Sequence, residues 1–392
     1  MTTIEIATRD QLLAAAEALA PHIEEHRDQL EQDRRLPAAL VAALTEAGIF
    51  RLYVPAALGG LEVDPGTLVR VIEALAVVDG SVGWCAMIGA TGGIFAGFLP
   101  DAGAREVFAG DPRVITGGGL APAGRAVPVD GGYRLSGRWP FASGSQHCAW
   151  LFANAVVMDG DQPRRTAEGA PEMRVLALPA GDCAILDTWT TGGLRGTGSH
   201  DFTVTDVFVP AHRTFAFPAG RSGLDRPLYR GPLTTWFGPS VASVSLGIAR
   251  GAIETLCDLA GRKVPTFRQS PLRERVLIQA QVAKAEATLR SARAFLYETV
   301  DAVWRSVSAG AEPSVEEQHL LRLVGAHAAD SALAAVEMMY KAGGGTAVYS
   351  RSPLDRQMRD AHAATQHIGV SAIHYELAGR IFLGMEPGSL AS

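Results

Sequence analysis

Apolar residues recur at helical spacing over roughly the first quarter of the chain. Leu12, Ala16, Leu19 and Ile23 fall three and four apart, which places them on one helix face. Leu40, Val41 and Leu44 follow Pro37, with Gly48 as a stop signal. Asp64-Pro65 reads as the N-cap and first turn of a helix carrying Leu68, Val71, Ile72 and Leu75. Between about residues 113 and 218 the period shortens to two and turn residues crowd in. Val127 to Val129, the turn Asp130-Gly131-Gly132, then Tyr133 to Leu135 predict a hairpin. Leu151 to Val157, Arg174 to Leu178 and Phe202 to Val209 complete a set of short strands, and 159–171 is a polar exposed loop.

Helical periodicity then returns over Val241 to Leu259, Pro271 to Ser308, Ser314 to Lys341 and Asp360 to Leu383. The second of these would be about 57 Å long at 1.5 Å per residue, a length suited to a bundle that packs internally and against other copies of the chain. The pattern predicts an α+β protein, mostly α: a helical domain over 1–112, a β domain over 113–218 and a four-helix bundle over 219–392.

Composition narrows the function. The 392 residues are 47% hydrophobic and 19% charged with a net charge of −6, which suits a compact globular protein and lacks the basic footprint of a nucleic-acid binder. Met1 to Asp10 shows no secretory pattern. The uncharged run Gly80 to Pro100 is long enough to span a bilayer, but six glycines and flanking Asp79 and Asp101 mark a buried, interrupted helix instead. The run from Gly231 to Ala249, rich in Ser, Thr and Pro, reads the same way. Four scattered cysteines form no zinc or disulfide framework, so a reducing cytoplasm is expected. His362, His367 and His374 lack the spacing of a helical metal site. Ser143, Ser145 and Ser199 lack a hydrolase elbow. Gly193-Leu-Arg-Gly196-Thr-Gly198 lies between strands, so it reads as a turn and not a dinucleotide loop.

Helices, then strands, then long helices is an order that resembles the acyl-CoA dehydrogenase fold, and several strings agree with it. Asp130 to Gly144 looks like the hairpin that ends beside the flavin, and Gly193 to Asp201 running into Val204 to Pro210 looks like the strand that follows. Arg262, Phe267 and Ser270-Pro271-Leu272 resemble a loop that reaches flavin across a subunit interface. Gly343-Gly344-Gly345, Tyr349 and Arg359-Asp360-Ala361-His362 look like the bundle's cofactor-contacting turn. A dehydrogenase of this family needs a carboxylate base. At its two expected places this chain has His362 to Gly369 and Thr234 to Gly238, both without one, and Glu376 reads as a bundle residue.

Gly137 to Trp150, Gly193 to Asp201, and Arg359-Asp-Ala-His with Gln366-His367 are similar to the flavin-dependent monooxygenases of this fold, the oxygenase components of two-component systems. The resemblance implies a homotetramer that takes reduced flavin (FMNH2 or FADH2) from a separate reductase. With molecular oxygen it would hydroxylate an aromatic or polycyclic small molecule through a C4a-hydroperoxyflavin. The alternative is a divergent FAD-dependent acyl-CoA dehydrogenase, and a non-catalytic helical scaffold is a third reading. On the resemblance, Ser143 bonds near flavin N5 and His367 is the base. Trp139 and Phe141 wall the ring site, and Arg262, Arg195, Phe267, Gly344 and Gly345 hold the rest of the cofactor. Trp84, Thr91, Phe141 and Trp236 face substrate. Phenol-hydroxylating relatives tend to carry a histidine in the stretch matching Gly83 to Gly93. Its lack here points away from a simple phenol and leaves an indole, a polycyclic intermediate or an amine.

Overall fold

The structure, a computed structural model, describes residues 8–218 and 220–386. Of the stretch read for a secretory signal, residues 1–7 lie outside the described residues. Ahead of the strands run α1 (Arg9–Ala18), α2 (Ala20–Glu25), α3 (Arg27–Asp33), α4 (Ala38–Glu46), α5 (Pro65–Val78), α6 (Gly80–Gly92) and α7 (Asp101–Phe108). Asp64 caps α5 as its sequence predicts, its carboxylate accepting the Thr67 N–H at 2.9 Å. The uncharged run from Gly80 forms α6, which is buried on all sides apart from Ile88. Among the described residues no helix is long and apolar enough to cross a membrane.

The sheet contains β1 (Thr116–Val129), β2 (Gly132–Ala142), β3 (Trp150–Asp159), β4 (Gln162–Pro163), β5 (Met173–Pro179), β6 (Ala184–Leu186), β7 (His200–Pro210) and β8 (Thr214–Phe217). Its order is β6-β7-β2-β1-β3-β5-β8, with β4 pairing β3. The β1–β2 hairpin closes at Val129 opposite Gly132, and β1 runs parallel to β3. Alternation divides the sheet's two faces. Phe152, Val175 and Phe215 join the helical core, whereas Leu135, Trp139, Leu151, Leu176 and Phe202 form a separate cluster on the other face.

The long helices are α8 (Phe237–Arg262), α9 (Val276–Ser308) and α10 (Val315–Gly343), followed by α11 (Pro353–Ala364) and α12 (Ile373–Phe382). A reciprocal Ser314–Glu317 capping box starts α10. The helices before and after the sheet share one continuous core. Two predicted helices differ from the observed ones. Residues 272–274 make a short 3-10 turn, so α9 begins at Val276 and not at Pro271. The stretch from Asp360 to Leu383 is broken between Ala364 and Ile373, where the His367 ring accepts the Gly369 N–H and supports a local turn in place of helix.

That turn is held by a close crossing of α8 and α10. A Cβ on Gly325 would sit 2.9 Å from the Gly238 carbonyl carbon, and one on Gly238 would sit 3.2 Å from the Gly369 oxygen. Only backbone atoms are in the way, so no side chain can yield. Gly325→Ala is expected to destabilise the fold by about 1 to 3 kcal/mol, read as a lower urea midpoint at unchanged slope. An unchanged midpoint would show that the crossing is not tight.

Candidate active site

Three segments meet at Ser143. Helix α6 brings Trp84, whose indole N–H donates to Ser143 Oγ at 3.0 Å. The chain leaving β2 turns sharply, with Phe141 at φ +63° and Gly144 at φ +69°. The Gly144 N–H is anchored on the Thr197 carbonyl at 2.8 Å. The turn ahead of β7 brings Thr197 and Ser199. Ser143 Oγ lies 2.6 Å from Ser199 Oγ, which lies 2.6 Å from Thr197 Oγ1. Gly198 is left-handed at φ +50°, and a Cβ there would sit 2.7 Å from the Arg34 carbonyl, so glycine is required for Ser199 to reach Ser143.

His367 comes from the break after α11. Its ring packs edge-on to Trp84 and Phe237, at centroid distances of 5.6 and 5.2 Å. Burial pushes its pKa down to about 4, so the ring is neutral at pH 7. Nδ1 accepts the Gly369 N–H at 3.0 Å, which leaves the neutral ring's proton on Nε2. In this conformation His367 presents a donor. The base expected from sequence needs this hydrogen bond to break first. His147, on the turn after Ser143, is also pushed down to about 4 by burial.

Beneath these groups lies a buried junction of charges. Asp79 caps α6, accepting the Ser81 and Val82 N–H groups at 2.9 and 3.2 Å. Its other oxygen faces Arg356 at 3.6 Å. Asp360 of α11 accepts the Leu194 N–H at 2.6 Å, tying the bundle to the turn that carries Thr197 and Ser199. Burial, and then the charge of Asp79, raises the Asp360 pKa and favours its neutral form.

The predicted residues divide by place. Ser143, Trp84 and His367 come together. Thr91, whose hydroxyl donates to the Met87 carbonyl at 2.8 Å, and Trp236 line an adjoining cavity with Tyr53, Phe95, Leu120 and Phe237. No side chain lining it is charged, and at about 40 Å³ it has room for little more than water. Phe141 lies beside Ser143 but is 70% exposed and meets only the edge of Trp189.

Two assignments do not hold. Trp139 is fully buried, stacked on Phe202 at 5.0 Å with its indole N–H on the Asn154 carbonyl at 2.7 Å, so it is sheet core and cannot wall a cofactor. Arg195 donates to the carbonyls of Glu31 and Thr191, so it latches the turn to α3 and is not free to hold phosphate. The string Arg359 to His362 is likewise a junction: Arg359 binds Glu31 and Asp355, and His362 sits at the surface near Glu337.

The remaining predicted residues lie at the other end of α8. Arg262 is its last residue, paired with Asp258, in a groove of about 1030 Å³ shared with Tyr349 and Arg351. Phe267 is 99% exposed. Gly344 and Gly345 form the adjacent turn, where Lys263 Nζ donates to the Gly343 carbonyl at 2.8 Å. At 1.5 Å per residue this end is about 37 Å from Phe237.

Ser199 and Thr197 lie in the string Gly193 to Asp201, Asp360 in Arg359 to His362 and Phe237 in Thr234 to Gly238, all marked by the resemblance, but nothing local gives these residues individual roles; Asp79 stands in the sequence only as a charge flanking α6.

The site suits the isoalloxazine ring of a flavin, planar with N–H and C=O groups along its edge. Ser143 Oγ keeps one lone pair beyond its partners above, and Ser145 Oγ is buried without a partner among the described residues. The comparisons agree. The family model of the acyl-CoA dehydrogenase N-terminal domain matches residues 7–107 and that of the C-terminal domain residues 240–372. The chain is 35% identical to an indole-3-acetate monooxygenase of Pseudomonas putida, over 92% of this chain and 90% of that protein. It is 32% identical to the oxygenase component of an FADH2-dependent resorcinol hydroxylase of a Rhizobium species, over 92% and 90% of the two chains. The solved structure of XiaF from a Streptomyces species, in complex with FADH2 and glycerol, superposes with a TM-score of 0.90 at 27% identity, covering 97% of each chain.

Two expectations follow from the charges. Asp79→Asn strips a partner from the buried Arg356 and is expected to cost about 2 to 4 kcal/mol. Asp360→Asn keeps an acceptor for Leu194 and is expected to cost less than about 1 kcal/mol. Urea titration of both variants checks this, and equal losses would contradict the charge assignment. Unfolded histidines titrate near pH 6.5, whereas folded His147 and His367 bind protons only near 4. Between those values the unfolded chain holds more protons, so stability falls as pH drops from 6.5 toward 4, by roughly 1.5 kcal/mol per histidine at pH 5. His147→Gln is expected to flatten that dependence, and an equally steep profile would contradict it.

Proposed function

The chain belongs to the acyl-CoA dehydrogenase family, and within it to the reduced-flavin-dependent monooxygenases, and from that premise we propose how its residues divide the work. It is an oxidoreductase that uses molecular oxygen and reduced flavin to hydroxylate an aromatic small molecule. The observation that carries this over a dehydrogenase is that, among the described residues, no carboxylate stands where Trp84, Ser143, His367 and Phe237 converge. Asp360 is engaged with Leu194, and Glu376 is exposed on α12.

Reduced flavin supplies the chemistry, activating oxygen and delivering one atom to the substrate. Ser143 holds the N–H edge of the ring through its free lone pair. His367 directs its Nε2 proton at an oxygen of the substrate or of the species to be transferred. Trp84 and Phe237 fix the His367 ring and exclude water, which keeps hydrolysis and peroxide loss in check. Thr91, Trp236 and Phe237, with Phe141 beside Ser143, face an aromatic ring; the apolar cavity lining supports this, as do relatives named for the aromatic substrates indole-3-acetate and resorcinol. A separate reductase provides the flavin, and four unpaired cysteines suit a cytoplasmic setting.

Arg262, Phe267, Gly344 and Gly345 complete the cofactor site of a neighbouring copy in a homotetramer. The length of α8 supports this, since no flavin bridges both of its ends within one chain.

With reduced FMN or FADH2, oxygen and indole, Ser143→Ala is expected to lower product per flavin oxidised about tenfold, with peroxide rising to match. Equal coupling in variant and parent contradicts the role of Ser143. Bleaching of oxidised flavin by an acyl-CoA without oxygen overturns the monooxygenase reading. Co-expressing Ser143→Ala chains with Arg262→Ala chains is expected to restore about a quarter of parental activity if each site draws on two copies. Activity no higher than that of either variant alone contradicts the shared site.

A further inference from the structure

The hydroxyls around Ser143 form a chain with a fixed direction. At one end is the Trp84 indole N–H, which can only donate, and it points at Ser143 Oγ from 3.0 Å. At the other end is the Leu194 carbonyl, which can only accept, 2.8 Å from Thr197 Oγ1. Two oxygens that close without a proton between them would repel, so the Thr197 hydroxyl donates to Leu194. Thr197 then has no proton for Ser199, and the 2.6 Å contact between them requires Ser199 to donate to Thr197. By the same step the 2.6 Å contact between Ser143 and Ser199 requires Ser143 to donate to Ser199. All four side chains are at least nine-tenths buried, so water does not scramble the order. The Leu194 carbonyl is itself held, accepting the Trp189 indole N–H at 2.9 Å while its amide is fixed on Asp360 at 2.6 Å.

The Ser143 proton is therefore turned inward. What Ser143 offers outward is a lone pair, and a lone pair prefers a ring nitrogen that carries hydrogen over one that does not. Resting on the placement of flavin against Ser143 proposed above, we infer that Ser199 and Thr197 are positioning residues that set the oxidation state of flavin the site accepts. By pointing the Ser143 hydroxyl away from the ring, they favour reduced flavin, whose N5 bears a proton, and disfavour oxidised flavin, whose N5 is a bare acceptor. A site built this way favours release of oxidised flavin after turnover and tells the two oxidation states apart at N5 by the direction of one hydroxyl.

The test reads binding rather than turnover. Oxidised FMN and FAD are titrated by fluorescence, and the reduced forms anaerobically by absorbance, against parent, Ser199→Ala, Thr197→Val, Thr197→Ser and Ser143→Ala, with urea midpoints confirming that each variant folds. In Ser199→Ala the Ser143 hydroxyl loses its inward acceptor and can rotate to donate to oxidised N5. In Thr197→Val the Ser199 hydroxyl loses its acceptor and turns back on Ser143, with the same result. Both are expected to bind oxidised flavin about tenfold tighter than the parent, roughly the worth of one hydrogen bond. Thr197→Ser keeps the direction and should match the parent. Ser143→Ala gains no donor, so it should weaken reduced-flavin binding without tightening oxidised flavin. Unchanged oxidised-flavin affinity in both Ser199→Ala and Thr197→Val, with Ser143→Ala still altered, overturns the relay and leaves the Ser143 placement standing. No change in Ser143→Ala overturns the placement itself.

Discussion

The arrangement around Trp84, Ser143 and His367 depends on the buried junction of Asp79, Asp360 and Arg356. Asp79 fixes the first turn of α6 and with it Trp84. Asp360 fixes Leu194, and through the turn that follows it fixes Thr197 and Ser199. Arg356 sits one turn before Asp360 on α11, the helix whose end releases His367. Three segments far apart in sequence are thereby referred to one point. Two carboxyl groups this close and this deep do not both ionise easily. Burial raises both pKa values, but Arg356 opposes the rise at Asp79 while the charge of Asp79 adds to it at Asp360, which favours the charge on Asp79.

Much of the fold was legible because it rests on local rules. Asp64-Pro65 announces a helix start, the periodic run from Ser314 to Lys341 predicts another helix, and the Asp130-Gly131-Gly132 turn a hairpin. The break near His367 was not legible. Its sequence is helix-compatible, and what interrupts the helix is a side-chain bond from His367 to Gly369 together with the crossing of α8 and α10. The candidate site was legible where a residue sits in a motif, as Ser143 does. It was not legible where the role is set by a partner across the fold, as for Ser199 and Asp360. Trp139 shows the converse error: an aromatic in a flavin-side string turned out to be sheet core, because alternation along β2 points it at Phe202 and not at the site. Arg195 was misread for a similar reason, since its latch to Glu31 and Thr191 has no local signature.

On the assembly proposed above, the two ends of α8 would carry complementary halves of a flavin site. The end near Phe237 supplies the ring environment, apolar and nearly closed. The end at Arg262 supplies exposed cation, aromatic and glycine turn. Exposed apolar side chains at Val264, Phe267, Val276, Leu277, Val348 and Tyr349 lie on or near that second end and are unusual for a surface that stays in water. The proposed assembly of copies would account for both the separation and the exposure, and would place a positive charge on the cofactor from outside the chain that performs the chemistry.

Transfer of an oxygen atom from O2 to an aromatic substrate by way of reduced flavin is tested by a single turnover with reduced flavin, indole and 18O2 in ordinary water, with the product analysed by mass spectrometry. One 18O per product molecule is expected, formed only when flavin enters reduced. Product labelled from water, or no product while an acyl-CoA is oxidised by bound flavin without oxygen, would contradict it.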